Sequence, residues 1–357
     1  LLGFSDDIFA FAKALVGHVT GGLAHANVLA SMIFAGMSGS AIADAGGLGA
    51  IEVKAMTEAG YDDGFSAAIT ATSAGIGPII PPSISFVVYG SMTSISILTL
   101  FMAGFVPGVL MGISLMIMCY IMAKRHPEIA PKTPRQPLTD AVKYGIKALP
   151  ALGAPVLLLG GMSGGMFTAT EGGVMASVYV IFLSIIFRRF SVKRLWEVLR
   201  SSVTTTTMVL FMMGAGQIFN NMITTCGLMD ELLTGMMNLD SPFLVLLALD
   251  AILLFEGCFM GGTSILILMT PFIMNLSLEM GFDLVHLGVV LVLTTMIGGT
   301  TPPMAPALFT TCKCCNVSFE KALKPALLLL IPLGVLLLML TYIPALSTML
   351  PTFMGLM

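Results

Sequence analysis

Long apolar runs decide what this chain can fold into. Residues 94–123, 203–226 and 323–346 approach or exceed the roughly 20 apolar residues that carry a helix across a bilayer. Charged residues make up only 10% of the 357, hydrophobic residues make up 57%, and the mean hydropathy is +0.99. Soluble domains carry about a quarter charged residues, so a soluble fold is excluded. The runs are too long for barrel strands, and unpaired backbone cannot face lipid. The chain is therefore expected to be an all-α polytopic membrane protein, and its 29 Met and 38 Gly suit close helix packing there. A net charge of −3 says little about partners, and no nucleic acid is expected. The chain opens at Leu1 without a signal-peptide pattern, and further N-terminal helices are expected ahead of it. The Cys312-Lys313-Cys314-Cys315 run has no second ligand cluster, so ordinary thiols are expected, with no transition metal and no cofactor.

Charge sets the topology. Eleven of the sixteen Lys and Arg fall in two blocks, 124–147 and 188–200, and none lies between Arg200 and Lys313. In that gap Asp230, Glu231, Asp240, Glu279 and Asp283 mark polar interruptions. Basic loops stay cytoplasmic, which puts the two blocks inside and the 227–242 and 279–284 loops outside. Trp196 reads as an interfacial anchor on an amphipathic helix within 188–200. Residues 149–187 make an even number of crossings, turning at 160–173. Residues 243–279 are apolar on both sides of a Met260–Ser264 tip, yet both flanks lie outside, so they form a re-entrant hairpin. Residues 22–57 form a second hairpin around 37–40, with Lys13 and Lys54 marking both flanks as cytoplasmic.

The hairpins belong to a repeat. Pro81-Pro82 matches Pro302-Pro303, and Gly77 matches Gly298, both at an offset of 221. From hairpin tip to diproline is 41 residues in one copy (Ser40 to Pro81) and 39 in the other (Thr263 to Pro302). Repeats of opposite orientation are the inverted-topology plan of many secondary transporters. The expected halves are 1–123, with hairpin 22–57 and broken helix 65–92, and 203–357, with hairpin 243–279 and broken helix 285–312. Between them, 124–202 holds basic loops, arm helices and a central helix pair.

Each diproline removes backbone donors, so with Gly75 and Gly77 or Gly298 and Gly299 just ahead the helix breaks within the membrane. Broken backbone is tolerated there only where it is buried or lines a polar cavity. A break offers carbonyls from its first half to a bare cation such as Na⁺, and amide N–H groups from its second half to an anion. The hairpin tips add Ser38, Gly39 and Ser40 in one copy and Gly261, Gly262, Thr263 and Ser264 in the other. Thr70, Thr72 and Ser73 surround the first break, and Thr294, Thr295, Thr300 and Thr301 the second. Two cation sites flanking one anionic substrate site follow, with Pro82, Ser83 and Pro303 at its edge. Small-residue clusters also serve simply as helix-packing surfaces, the competing reading for each copy alone. Asp44, near a helix N-terminus, and Glu171 are candidate cavity acids. Asp250 and Glu256, on the approach to the second tip, are weaker ones. His18, His25 and His286 sit near membrane edges with no role assigned.

At these residues the sequence resembles the large membrane subunit of tripartite ATP-independent periplasmic (TRAP) transporters, of the ion transporter superfamily. Residues 26–49, 59–83, 160–171 and 297–309 carry the likeness, in the expected order over essentially the whole chain. The resemblance implies a Na⁺-driven importer with an elevator-type transport domain in the bacterial inner membrane. It implies a small membrane subunit, separate or fused, and a periplasmic binding protein that delivers an organic acid of the sialic acid or C4-dicarboxylate type. On that basis Ser38, Ser40, Gly77 and Pro81 surround one Na⁺ site, and Gly261, Thr263, Thr295, Gly298 and Pro302 the other. Two positions depart from the family pattern. Gly261 stands where an acidic residue is usual, and Met304-Ala305 follow the second diproline in place of valine and glycine.

Two other functions compete. A stand-alone Na⁺/carboxylate symporter of the same superfamily needs no binding protein. An intramembrane serine protease is the remote reading, because Gly36-Met37-Ser38-Gly39 spells a protease motif. That chemistry needs a histidine within reach of Ser38, and the only candidate, His286, belongs at the outer edge.

Overall fold

Two short helices with no solvent-facing side organise the molecule, and the longer helices pack around them. The computed structural model of the chain describes residues 4–132, 137–188, 190–239 and 241–357. Arg135, Arg189 and Asp240, used above as topology markers, lie outside them. The first half runs through α1 (Phe4–Val16), α2 (Gly22–Ser38), α3 (Ala41–Gly47), α4 (Gly49–Glu58), α5 (Asp63–Ala74), α6 (Ile84–Thr93) and α7 (Ile97–Arg125). The centre holds α8 (Leu138–Ser163), α9 (Ala169–Ile186), α10 (Val192–Thr225) and α11 (Leu228–Met237). The second half holds α12 (Pro242–Phe259), α13 (Gly262–Met280), α14 (Leu284–Gly298), α15 (Pro306–Cys314), α16 (Phe319–Tyr342) and α17 (Ala345–Phe353).

The described residues form an all-helical fold. Seven helices are long and apolar enough to cross a membrane: α7, most of α8, α9, α10, α12, α13 and α16. α5 and α14 are the organising pair. Every residue from Gly64 to Ala74 in α5 is buried, and so is every residue from Val285 to Thr295 in α14. Their compositions permit this, because after the first residue of α5 neither helix carries a charge. A helix apolar or small all round is satisfied only when enclosed. α5 packs against α16, α4, α2 and α15, while α14 packs against α12, α13, α16 and α7. Both start at an aspartate N-cap. Asp62 accepts from Phe65 N at 2.8 Å and Asp283 from His286 N at 2.7 Å, and the two lie 221 residues apart, the diproline offset.

Both diprolines sit in non-helical segments. α5 stops at Ala74 and α6 starts at Ile84, with Ser83 as its N-cap. α14 stops at Gly298 and α15 starts at Pro306, where the proline occupies the position its missing N–H suits. The Pro81–Pro82 and Pro302–Pro303 bonds are both cis.

Three elements differ from the sequence reading. The amphipathic stretch near Trp196 and the span 203–226 are one continuous helix, α10, of 34 residues. At 1.5 Å per residue it reaches about 51 Å, well beyond a hydrocarbon core of roughly 30 Å. No Gly or Pro interrupts 192–213, and Thr204 returns its hydroxyl to Arg200 O at 2.9 Å, so nothing ends the helix at the expected boundary. The expected loop 227–242 contains α11, which buries Leu233 and Met236 at helical spacing. The second arm of the first hairpin is divided into α3 and α4 at Leu48.

Close backbone approach is glycine-dependent where α12 crosses α14. A Cβ on Gly257 would stand 2.7 Å from Gly298 Cα. Gly257→Ala is therefore expected to cost about 1–3 kcal/mol by overpacking and to lower the thermal midpoint of the purified protein. Gly334→Ala on α16, with no atom within 4 Å of the added methyl, should leave that midpoint unchanged or raised.

Candidate functional site

The first hairpin tip is built around two residues that helix geometry rejects. Gly39 ends α2 at φ +59°, and Ser40 is extended at φ −143°, where it caps α3 through Ala43 N at 3.4 Å. A Cβ on Gly39 would meet Pro82 O at 2.4 Å, so only glycine lets the tip touch the diproline turn. Ile84 N donates to Gly39 O at 3.3 Å, and a Cβ on Gly77 would stand 3.2 Å from Ser40 C. The tip and the broken helix are thus joined backbone to backbone. Beside the joint, Ser38 Oγ is buried without a hydrogen-bond partner. Pro81 is buried, Pro82 half-buried, and Ser83 both caps α6 and hydrogen-bonds Pro78 O.

The second tip meets its break in the same manner. Met260 and Gly261 are extended, α13 starts at Gly262, and a Cβ there would lie 2.4 Å from Met296 Cε and 3.5 Å from Thr295 Oγ1. Thr300 and Thr301 return their hydroxyls to Ile297 O at 2.9 and 2.8 Å, closing the end of α14.

One pocket of about 260 Å³ lies between the two tips and the two breaks. Of the sequence-predicted residues it gathers Gly39, Ser40, Gly75, Gly261, Gly262, Thr263 and Thr295. Its lining carries no charged side chain, and Thr205 and Val209 of α10 close one side. What it does carry is helix ends. Ile84 and Ser85 of α6, Gly262 and Thr263 of α13, and Pro306 and Ala307 of α15 each place a helix N-terminus on the pocket. The short α3 adds Ala41 and Ile42. Gly75 and Gly299 bring the carbonyl ends of α5 and α14. Ile84 N and Ala307 N are taken by Gly39 O and Gly299 O, but each N-terminus carries about half a positive charge, so their convergence favours an anion without any Lys or Arg.

Other predicted residues lie elsewhere. Ser38, Gly77, Pro81, Pro82, Ser83, Gly298, Thr300, Thr301, Pro302 and Pro303 stand around the breaks behind the pocket surface. Ser264 faces a groove between α10 and α13 with Gly216 and Ile267. Glu171 is exposed at the start of α9, in a capping box in which it accepts from Thr168 N and Oγ1 at 2.9 Å. That contact occupies it locally and leaves it off the pocket lining. Asp44 is 1% exposed and does not line the pocket. Glu256 is half-buried with Oε2 unpartnered. His18 is exposed, His25 reaches Thr20 O at 3.2 Å, and His286 holds Ser347 Oγ at 2.8 Å and Thr341 O at 3.3 Å. His286 is therefore engaged away from Ser38.

A polar network in the first hairpin escaped the sequence reading. Asn27 Nδ2 donates to Glu52 Oε2 and Thr70 Oγ1, both at 2.8 Å, while its Oδ1 accepts from Ser73 Oγ at 2.7 Å. It ties α2, α4 and α5 together. In the second half Asp250 accepts from Thr341 Oγ1 at 2.8 Å, with Thr294 beside it. Asn27 and Asp250 are 223 residues apart, the spacing of Ser40 and Thr263, and Ser73 and Thr294 are 221 apart. Extending the repeat register upstream of the tips would have found them. Asn27→Ala leaves buried polar partners unmatched, at about 1–3 kcal/mol each, so a clear drop in thermal midpoint is expected in detergent or nanodiscs.

Seven candidate spanning helices among the described residues, with a pocket bordered by helix ends, define a multi-pass helical membrane protein. The profile of the tripartite ATP-independent periplasmic transporter DctM component matches residues 2–346. The chain belongs to that family, a family of transporter permeases and not of enzymes, located in the inner membrane. It is 38% identical over 357 residues to the sialic acid TRAP transporter large permease protein SiaM of Vibrio cholerae, covering 99% of this chain and 83% of that one. It is 36% identical to the C4-dicarboxylate TRAP transporter large permease protein DctM of Pseudomonas aeruginosa, over 99% and 83% of the two chains. With the sialic acid TRAP transporter permease protein SiaT of Haemophilus influenzae it shares 38% identity over 99% of this chain and 57% of the relative.

Proposed function

We propose that this chain is the permease subunit of a sodium-driven secondary transporter that imports an organic acid anion. The observation that carries the reading is the convergence of helix N-termini on one charge-free pocket between two tips and two breaks. The helix N-termini of such a pocket suit a carboxylate. Relatives named for sialic acid and for C4-dicarboxylates point to the same ligand chemistry. The coupling ion is Na⁺. The buried, unpartnered Ser38 Oγ and the carbonyls at the ends of α2 and α5 are fitting donors, with Ser40, Gly77 and Pro81 around them. Gly261, Thr263, Thr295, Gly298 and Pro302 would hold a second ion.

The two halves act as an inverted repeat with two re-entrant hairpins, and the transport domain they form moves as an elevator. A small membrane subunit is the partner within the bilayer, and one relative bears the combined name DctMQ. A periplasmic binding protein delivers the substrate. Uptake by the reconstituted chain alone, with no partner, would instead support the stand-alone symporter.

Ser40→Ala and Thr263→Ala are each expected to raise the Na⁺ concentration for half-maximal uptake about fivefold, for one lost ligand of about 1 kcal/mol. Unchanged Na⁺ titrations in both variants would sink the ion-site assignment. For topology, a cysteine at Lys132 should react with a membrane-impermeant reagent only from the cytoplasmic side, and one at Asn238 only from outside. Reversed labelling refutes the orientation.

A further inference from the structure

The first hairpin holds a buried acid that the transport reading does not use. Glu52 on α4 is fully buried. Its Oε2 accepts from Asn27 Nδ2 at 2.8 Å, and its Oε1 has no partner. Asp44 on α3 is 1% exposed, has the Ser31 hydroxyl beside it, and its charge acts on Glu52. Neither acid lines the central pocket.

Among the described residues no ion pair reaches either acid. The neighbouring helices bring neutral groups to this place: Asn27 and Ser31 from α2, and Thr70 and Ser73 from α5. Lys54, on the same helix as Glu52, faces Glu58 at the surface at 3.9 Å. His25 on α2 is turned to Thr20 O. The remaining titratable group facing Glu52 is the Cys315 thiol at the end of α15, whose Sγ lies 3.9 Å from Gly49 O. Two carboxylates enclosed together without a counter-charge cannot both be ionised. A proton on the unpartnered Glu52 Oε1 removes one of the two uncompensated charges while Oε2 keeps its bond from Asn27. A metal cation in its place is poorly served, since hard cations take about six oxygen ligands. Here the hydroxyls are already engaged, Ser31 with Ser73 at 3.2 Å, Ser73 with Asn27 at 2.7 Å and Thr70 with Ser66 O at 2.8 Å.

We propose that Glu52 is a proton-binding site, a buried carboxylic acid that keeps its proton at neutral pH. The inference goes beyond the transport reading and stands whether or not Na⁺ drives uptake.

Infrared spectroscopy of the purified full chain in lipid nanodiscs tests it without any transport assay. At pH 7 the wild-type spectrum should contain a carboxylic-acid C=O band that shifts in D₂O and is lost in Glu52→Gln. Adding NaCl should leave that band in place. Loss of a carboxylate stretch instead, or disappearance of the acid band on adding Na⁺, overturns the proposal. Glutamine is the isostere of the neutral acid, so Glu52→Gln should keep a thermal midpoint near that of wild type while Glu52→Ala falls. A Gln variant as unstable as the Ala variant also overturns it. Should Glu52→Gln not fold, Asp44→Asn is read in its place. It removes the neighbouring charge and should shift the same acid band, and a spectrum identical to wild type refutes the assignment.

Discussion

The contact on which this structure depends is backbone against backbone, where each hairpin tip meets a broken helix. Gly39 lies against Pro82 O so closely that no side chain fits, and Ile84 N closes the joint through Gly39 O. In the other half Gly257 and Gly298 let α12 press on the end of α14. Open backbone inside a membrane is costly unless something satisfies it. These joints enclose the open turns, and the same enclosure leaves a cavity bordered by free helix ends. Burial of α5 and α14 on all sides holds the breaks in place, because each is wrapped by helices from both halves of the chain.

Much of this was legible in the sequence because it depends on residues that punctuate a chain. Diprolines, glycines and small hydroxylated tips mark helix ends, and a constant offset relates one copy to the other. Asp62 and Asp283 obey that offset as caps, an agreement that needs only local chemistry. The central helices were harder. α10 runs on through a stretch of serines and threonines that reads as a boundary, because no Gly or Pro interrupts it and the Thr204 hydroxyl is satisfied at Arg200 O. α11 was hidden by its acidic residues, which point to a loop although Leu233 and Met236 face inward. Glu171 illustrates the opposite error. An acid in an apolar neighbourhood invites a role in a cavity, yet a threonine three residues upstream is enough to hold it.

The two halves are alike in scaffold and unlike in charge. Where the first places Asn27 between α2 and α5, the second places Asp250 between α12 and α16. The first half has a second buried acid, Glu52, on the far side of its asparagine. Deep polar groups of this kind are tolerated only where neighbours complete their hydrogen bonds, so each half is held by a different set of partners around a common frame. The shared spacings keep the aspartate caps and buried polar positions in step while each half has its own electrostatics.

A pocket whose attraction for anions comes from helix ends has a property that a pocket lined with arginines lacks. Its strength is set by where whole helices sit, so no single side chain can swing aside to release the cargo. Drawing one tip away from its break would turn several dipoles off the ligand together. Affinity in such a site is a matter of posture, set by where the helix ends stand and not by any one side chain.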